Sequence, residues 1–276
     1  MYWNQLLIVV AACAVGAAVG FKRLLWFITV GYGLGIFTGA IADLVIGISA
    51  GNVHWLFLLQ SLVFIVYGLR LGLFLLLRET KNAAYRKYIG ADKKDGKKIP
   101  VFVSVFMWIY CAFFYAGEIS PVFFRMMQND YDNIVLPLIG VLLSACGMLI
   151  EALADKQKSA QKAEDPKMVA TKGLYRYVRC ANYFGEILMW TGVFVGGLDT
   201  FSTAGQWIYA VLSYIMIVYI MVDGAKRTEA RQYKSYGDLP SYREYAAKTP
   251  ILFPFLPLYH LNRFDENGQV IEKKKN

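Results

Sequence analysis

The chain has 276 residues, of which 57% are hydrophobic and 18% are charged, with a net charge of +9. This composition is too apolar for an ordinary soluble domain and indicates an integral membrane protein. Nucleic-acid binding is not expected, because membrane topology and the anionic lipid headgroups already account for the positions of the lysines and arginines. Two histidines and four cysteines, with no Cys-x-x-Cys pair, argue against a metal site.

Seven apolar segments have about the length that a helix needs to cross a bilayer. The first is interpreted as a retained helix, because no cleavage site followed by a polar mature region comes after it. The predicted fold is therefore an all-α integral membrane protein with seven transmembrane helices. In chain order the segments are residues 5–21, 24–48, 53–77, 100–124, 134–153, 182–198 and 203–222.

The positive charge is concentrated on one side of this arrangement. With seven spans, 27 of the 29 lysines and arginines fall on the same side, and Arg125 is the single base of the opposite loops. The positive-inside rule then predicts an outer N-terminus and a cytoplasmic C-terminus. The basic stretch at residues 81–100 is interpreted as a solvated cytoplasmic connection.

From residue 151 the chain becomes polar, basic and rich in tyrosine, both before the sixth span and after the seventh. The last stretch is predicted to be helical with breaks at Gly237, Pro240 and Pro250. Two cytoplasmic segments that flank the last two spans would close a polar pocket at the inner membrane face.

Glycines in the first two spans do not form a nucleotide-binding loop. The run from Gly31 to Gly39 lies inside a span, with no preceding strand and no acidic residue where a dinucleotide fold requires one. Gly16, Gly20, Gly35 and Gly39 suit close helix packing instead.

Charged groups inside a membrane are functional candidates, because each is costly unless it is paired or hydrated. Arg70 and Glu186 belong to the cytoplasmic half, where Tyr67 lies one turn from Arg70 and Asn182 one turn from Glu186. The alternative for Arg70 is a structural ion pair, for example with Glu186.

Asp43 and Glu118 are predicted to lie toward the outer half of their spans. Two interpretations are open for them. They line the far end of a cavity, or they reach outer water.

The stretch GLYRYVRCANYFGEILMWTGVF resembles the C-terminal signature of the steroid 5α-reductase superfamily, which includes bacterial DUF1295-type membrane reductases. The match consists of Asn182, Tyr183 and Glu186 in Asn-Tyr-x-Gly-Glu, supported by Tyr67-x-x-Arg70. Upstream, Glu151, Asp155 and Gln157 match the bacterial relatives. The chain departs from the pattern in having Cys-Ala for His-Pro before Asn182 and in lacking the Gln-Glu pair of an earlier helix.

This resemblance implies an enzyme that binds NADPH at its cytoplasmic face and delivers hydride to a carbon–carbon double bond conjugated with a carbonyl. The resemblance to bacterial relatives also implies a bacterial inner membrane as its location. Residues 1–150 would form the cavity for a lipophilic substrate, residues 151–260 would bind the cofactor, and residues 261–276 would be a polar tail. Tyr67 and Arg70 are the implied catalytic residues. The implied cofactor-binding residues are Asp155, Lys172, Tyr175, Arg176, Arg179, Asn182, Tyr183, Glu186, Arg227, Tyr233, Tyr236 and Arg243.

Several alternatives stay open. The chain could be a membrane methyltransferase of the isoprenylcysteine type that uses S-adenosylmethionine, or a non-catalytic protein that binds lipid or sterol. The tyrosines, Tyr233 and Tyr236 above all, could be interfacial anchors and not ligand contacts. Membrane lipid is the expected surrounding partner, and the predicted assembly is a monomer.

Overall fold

The computed structural model describes residues 2–81, 100–264 and 271, and within them every regular element is helical. Most of the basic connection (residues 82–99) and most of the polar tail lie outside the described residues. The helices are α1 (Trp3–Ala17), α2 (Val30–Ala50), α3 (Trp55–Lys81), α4 (Val101–Gln128), α5 (Val135–Glu164), α6 (Ala181–Gly197), α7 (Ala204–Tyr236) and α8 (Pro240–Lys248), with 3-10 turns at Ala18–Lys22, Leu24–Phe27 and Gly173–Arg176.

The seven apolar segments are confirmed as helical. Six candidate membrane spans are long and apolar enough to cross a bilayer. The predicted sixth span corresponds to α6, which has 17 residues, whereas the shortest of the six candidate spans, Trp3–Lys22, has 20. An integral membrane protein is thus supported, while the count of seven crossings and the orientation of the termini stay predictions.

Two helices extend well past the apolar segments that predicted them. The helix α5 continues to Glu164 and α7 to Tyr236, through polar sequence rich in Lys, Gln, Ala and Glu. These residues favour helix, so the backbone has no reason to change where the apolar stretch ends. The predicted breaks are confirmed: α7 ends before Gly237, and α8 begins at Pro240 and ends before Pro250.

The chain divides into two compact units, and unit 1 comprises residues 1–142 and 192–214. Its helices α2 and α3 approach closely at glycines, since a side chain on Gly33 would overlap the backbones of Gly68 and Gly72. The helices α1 and α2 are also joined by the Thr38 hydroxyl, which donates to the Ala12 carbonyl at 2.7 Å. Such close contacts are how helices associate in lipid, where the hydrophobic effect does not drive them together.

One end of unit 1 is fastened by Arg125 in the last turn of α4. Its guanidinium donates to the carbonyl oxygens of Gly196 at 2.8 Å and Asp130 at 2.7 Å, and it pairs with the Asp199 carboxylate. Nearby, Gln128 donates to the carbonyl oxygen of Thr200 at 2.8 Å. Arg125 was expected as a base of an outer loop; it is instead a buried helical residue whose charge is neutralised.

Unit 2 comprises residues 143–191 and 215–276. Within it the segment after α8 is fixed to the start of α6: the amides of Arg179 and Cys180 donate to the carbonyl oxygens of Pro250 and Ile251, each at 2.9 Å. Ile251 and Leu252 are completely buried. The C-terminal part of the chain is therefore an integral piece of this unit.

Candidate functional site

In unit 1, the predicted catalytic residue Tyr67 lies in a buried cluster of three tyrosines. Tyr67 is completely buried, and its hydroxyl donates to the hydroxyl of Tyr32 at 3.1 Å. The two rings meet edge to face at 6.2 Å, and the ring of Tyr32 also lies 5.2 Å from that of Tyr115. Tyr115 in turn donates to the carbonyl oxygen of Phe27 at 2.5 Å, which fixes the third ring.

Tyr32 is a residue that the sequence interpretation missed. It stands between Gly31 and Gly33, in the glycine run that was assigned to helix packing alone. Gly33 lets the backbones of α2 and α3 approach closely, and the neighbouring Tyr32 reaches Tyr67 on α3. A tyrosine set among small residues in a span was the available signal. Arg70, one turn along α3, is half-buried.

Asp43 and Glu118 do not reach outer water. Asp43 is fully buried and Glu118 is 4% exposed, so that interpretation was wrong for both. Both carboxylate oxygens of Asp43 lack a hydrogen-bond partner among the described residues. Asp43 is eleven residues from Tyr32, which is roughly 16 Å along α2, so it does not replace the missing Gln-Glu pair beside Tyr67.

A small cavity lies in unit 1 beside Arg125. Gln60, Arg125 and Tyr131 contribute its polar lining, and the remaining lining is apolar. Its volume of about 20 Å³ suits a water molecule and not a lipophilic substrate. The substrate cavity expected in residues 1–150 is therefore not this one.

In unit 2, the loop before the Asn-Tyr-x-Gly-Glu signature is held onto α5 by two glutamines. The side-chain oxygen of Gln161 accepts from the amides of Thr171 and Lys172, each at 2.9 Å, and its amide donates to the Lys172 carbonyl oxygen at 3.1 Å. Gln157 accepts from the amide of Leu174 at 2.8 Å. The loop is fixed while Lys172 and the nearby Arg176 stay exposed. Gln161 was not identified from the sequence.

Tyr175 follows in the 3-10 turn and is 2% exposed. Its hydroxyl has no hydrogen-bond partner among the described residues. Burial, followed by the nearby Asp155 carboxylate, raises the pKa of Tyr175 well above its usual range, so the phenol keeps its proton. Its backbone carbonyl accepts from the Tyr245 hydroxyl at 2.6 Å. Among the described residues, Tyr175 is therefore a buried, protonated donor without an acceptor.

Asn182, Tyr183 and Glu186 lie in the first turns of α6. Asn182 and Tyr183 are half-buried and Glu186 is 7% exposed. The hydroxyl of Tyr183 lies 3.4 Å from that of Thr228 on α7. Asn182 and Glu186 share a helix face because they are four residues apart.

The environment of Arg179 differs from the one expected for an arginine that binds a phosphate group. Its side chain is completely buried, with Nε donating to the Thr249 carbonyl oxygen at 3.2 Å and Nη2 donating to the carboxylate of Glu229 at 3.1 Å and to the carbonyl oxygen of Tyr259. These bonds join α7 to the C-terminal segment. Next to it, burial raises the pKa of the Cys180 thiol to about 11.

The remaining predicted residues lie on α7 and α8. Arg227 is exposed and pairs with Asp223, and Arg243 is exposed and donates to the Gly237 carbonyl oxygen. The Tyr233 ring stacks on Phe264 at 3.8 Å, and the Tyr236 hydroxyl accepts from Lys162 at 2.7 Å. Both tyrosine rings also pack against Tyr242.

A protein-family profile described as "Protein of unknown function (DUF1295)" matches residues 21–249. Curated relatives named 3-oxo-5-alpha-steroid 4-dehydrogenase 1 include those of Bos taurus, at 25% identity over 59% of this chain and 59% of the relative, and Macaca fascicularis, at 27% over 59% and 58%. That of Mus musculus is 26% identical over 59% and 60%. The matched region thus spans about three fifths of these relatives, and no solved structure matches. The chain belongs to the DUF1295 family, within the steroid 5α-reductase superfamily.

Proposed function

We propose that this protein is an NADPH-dependent oxidoreductase that reduces a carbon–carbon double bond conjugated to a carbonyl in a lipophilic substrate. A 3-oxo-Δ4 steroid or a related lipid enone is the substrate class. The names of the relatives support this reaction type. The observation that carries the proposal is the buried hydroxyl pair of Tyr67 and Tyr32.

The pair is suited to stabilising an enolate. When hydride reaches the double bond, negative charge develops on the conjugated oxygen, and a preorganised donor in a water-poor site lowers the barrier. Tyr67 would donate to that oxygen. Tyr32 would turn its own proton toward Tyr67, since a hydroxyl both donates and accepts. Arg70 would bias the Tyr67 phenol from the same helix.

The residues of unit 2 fit a dinucleotide that carries an additional phosphate. Lys172 and Arg176 are exposed bases beside a fixed backbone, and the Tyr175 hydroxyl is a buried donor with no acceptor in the described part of the chain. Asn182 and Glu186 would bind polar groups of the nicotinamide or ribose, and Asp155 would accept from the adenosine hydroxyls. NADPH supplies the hydride when bound; the protein supplies placement and electrostatics.

Not every predicted residue receives a direct role. Arg179 would be a positioning residue, because its Nε and Nη2 already bond within the protein. Arg227 and Arg243 would neutralise phosphate only after leaving their present partners. Tyr183, Tyr233 and Tyr236 would shape the wall of the pocket. The site would face the cytoplasm, following the predicted orientation.

The test is binding and oxidation of NADPH by the purified protein in detergent, with a Δ4-3-oxo steroid. We expect saturable NADPH binding that Asn182→Ala and Glu186→Ala weaken, and steroid-dependent oxidation that also requires Tyr67. Preference for S-adenosylmethionine would favour the methyltransferase. Absence of binding to either cofactor, in protein that unfolds cooperatively, would leave a non-catalytic lipid-binding protein.

A further inference from the structure

The loop at residues 251–259 has an unusual surface. Its sequence, ILFPFLPLY, contains no charged residue. The first two side chains are buried, but the tip is exposed: Phe255 to 86%, Leu256 to 54% and Leu258 to 38%. A cluster of large apolar side chains exposed beside a strongly basic segment indicates a surface that meets something apolar.

This exposure belongs to a fixed loop. The amide of Ile251 donates to the carbonyl oxygen of Leu258 at 2.8 Å, which closes the loop on itself. The ring of Phe184, in the first turn of α6, meets the rings of Phe253 at 6.5 Å and Phe255 at 6.4 Å, both edge to face. The apolar tip is thus held outward by a defined scaffold.

Both ends of the loop are attached at boundaries between an apolar helical segment and charged residues. Its beginning bonds to the backbone of Arg179 and Cys180, immediately before α6. Its end is bound to α7, where Asn262 donates to the carbonyl oxygen of Lys226 at 2.9 Å. On α7, a candidate membrane span, the apolar stretch ends at Val222 and the charged residues begin at Asp223. Such transitions mark the level of the membrane interface.

We infer that the loop at residues 251–259 inserts its tip, Phe255 to Leu258, into the boundary between lipid headgroups and acyl chains. The exposed bases Lys226, Arg227 and Arg263 flank its attachment. They complement the anionic headgroups of that boundary, as in other interfacial segments. The loop is a lipid-contact element of unit 2 that adds to the spans, and it requires neither the cofactor nor the proposed reaction.

The test is nitroxide depth measurement on the full chain in vesicles of phosphatidylcholine and phosphatidylglycerol. Phe255→Cys is spin-labelled in a Cys146→Ala background, because Cys146 is exposed whereas the other three cysteines are buried. Ser241→Cys, exposed on α8 in the same unit, is the matched control. Leu256→Cys repeats the measurement at the neighbouring tip position.

We expect labels at 255 and 256 to collide with oxygen several-fold more often, relative to a water-soluble nickel complex, than the label at 241. Equal accessibility to nickel at all three sites would place the tip in water and overturn the inference. Protection from both reagents would mean that protein covers the tip. In that case, spin–spin broadening that disappears on dilution with unlabelled protein would identify a second copy of the chain.

Discussion

Glu229 on α7 and Arg179 before α6 form an ion pair at 3.1 Å in which neither side chain has any exposed surface. The same carboxylate accepts from the amides of Leu261 and Asn262 at 2.9 Å each, and lies 2.9 Å from Nδ1 of His260. One buried acid thus neutralises one buried base and also holds the chain after the loop at residues 251–259. The pair organises the C-terminal half of unit 2.

Glu229→Gln should therefore destabilise the protein strongly. Removing one partner of a buried pair leaves the other charge uncompensated and typically costs about 3–5 kcal/mol. The measurement is the free energy of unfolding in detergent. Glu244→Gln, which breaks the exposed pair with Lys248, is the control and should cost far less, because a solvated ion pair contributes little to stability. Equal effects of the two substitutions would contradict the central role of Glu229.

Tyr67→Phe should lower the turnover of NADPH with an enone about 10²-fold, the usual effect of losing one donor to a developing oxyanion. Tyr32→Phe should lower it about ten-fold, because it removes one hydrogen bond to that donor. NADPH affinity should not change in either variant. Steady-state kinetics and cofactor titration measure the two effects. Tyr110→Phe, on the exposed face of α4, is the control for the loss of a phenol hydroxyl and should keep full activity. Full activity of Tyr67→Phe would exclude Tyr67 as the hydrogen-bond donor to the substrate oxygen.

Gln161→Ala should weaken NADPH binding about ten-fold or more, because three hydrogen bonds that fix the loop at residues 171–172 are each worth about 1 kcal/mol. Gln206 provides a matched control in unit 1, where its side chain accepts from the amides of Ser202 and Thr203. Gln206→Ala should leave the affinity unchanged. Calorimetric titration with NADPH compares the two. A similar loss in both variants would indicate general destabilisation and not a loop that positions ligand.

His54 should make stability depend on pH. Burial lowers the pKa of His54 below its ordinary value of 6.5, and its Nδ1 accepts from the Leu56 amide at 3.3 Å, which requires a ring unprotonated at that atom. The contribution is complete above about pH 6.5 and is lost as the pH falls through the lowered pKa, because the unfolded chain then binds the extra proton. His54→Phe keeps a ring to stack on Tyr131. The free energy of unfolding, measured at several pH values, should fall less at acid pH in this variant than in the wild type. An equal fall in both proteins would show that other groups cause it.

Gly33→Ala should destabilise unit 1 by about 1–3 kcal/mol, because the added methyl group overlaps backbone that cannot move without shifting a helix. Gly72→Ala is the control in the same contact. There, the nearest atom to the new methyl is Cδ2 of Leu34 at 3.2 Å, part of a flexible side chain. Thermal unfolding should show a clear loss for the first variant and a smaller one for the second. The reverse order would contradict the α2–α3 contact.

Hydropathy was sufficient to predict where the apolar helices form, six of which are long and apolar enough to cross a membrane, because a backbone in lipid satisfies its hydrogen bonds within the segment. It could not predict the ends of α5 and α7, since helix propensity continues where hydropathy stops. The interior position of Asp43 was also missed. A depth estimated from residue number says nothing about which side of a helix is covered.

From the sequence, candidate site residues could be proposed where they follow a local motif, whereas contacts between residues distant in the chain could not be predicted. Asn182 and Glu186 belong to one short signature, whereas Tyr32 and Tyr67 are 35 residues apart, and Arg179 and Glu229 are 50 apart. Glu229 lies among charged residues on α7, and nothing in its sequence context distinguishes it from a solvated neighbour. Only the tertiary contacts identify it.

The Arg125 contacts have a consequence for how the protein is made. Its bonds reach Gly196 and Asp199, which are 71 and 74 residues later in the chain. During insertion, the first four helices therefore enter the membrane with a cation whose counter-charge has not yet been synthesised. The fastening of this end can be completed only after α6 and the turn that follows it have emerged. A chain interrupted before that point would retain Arg125 without the Asp199 carboxylate that neutralises it.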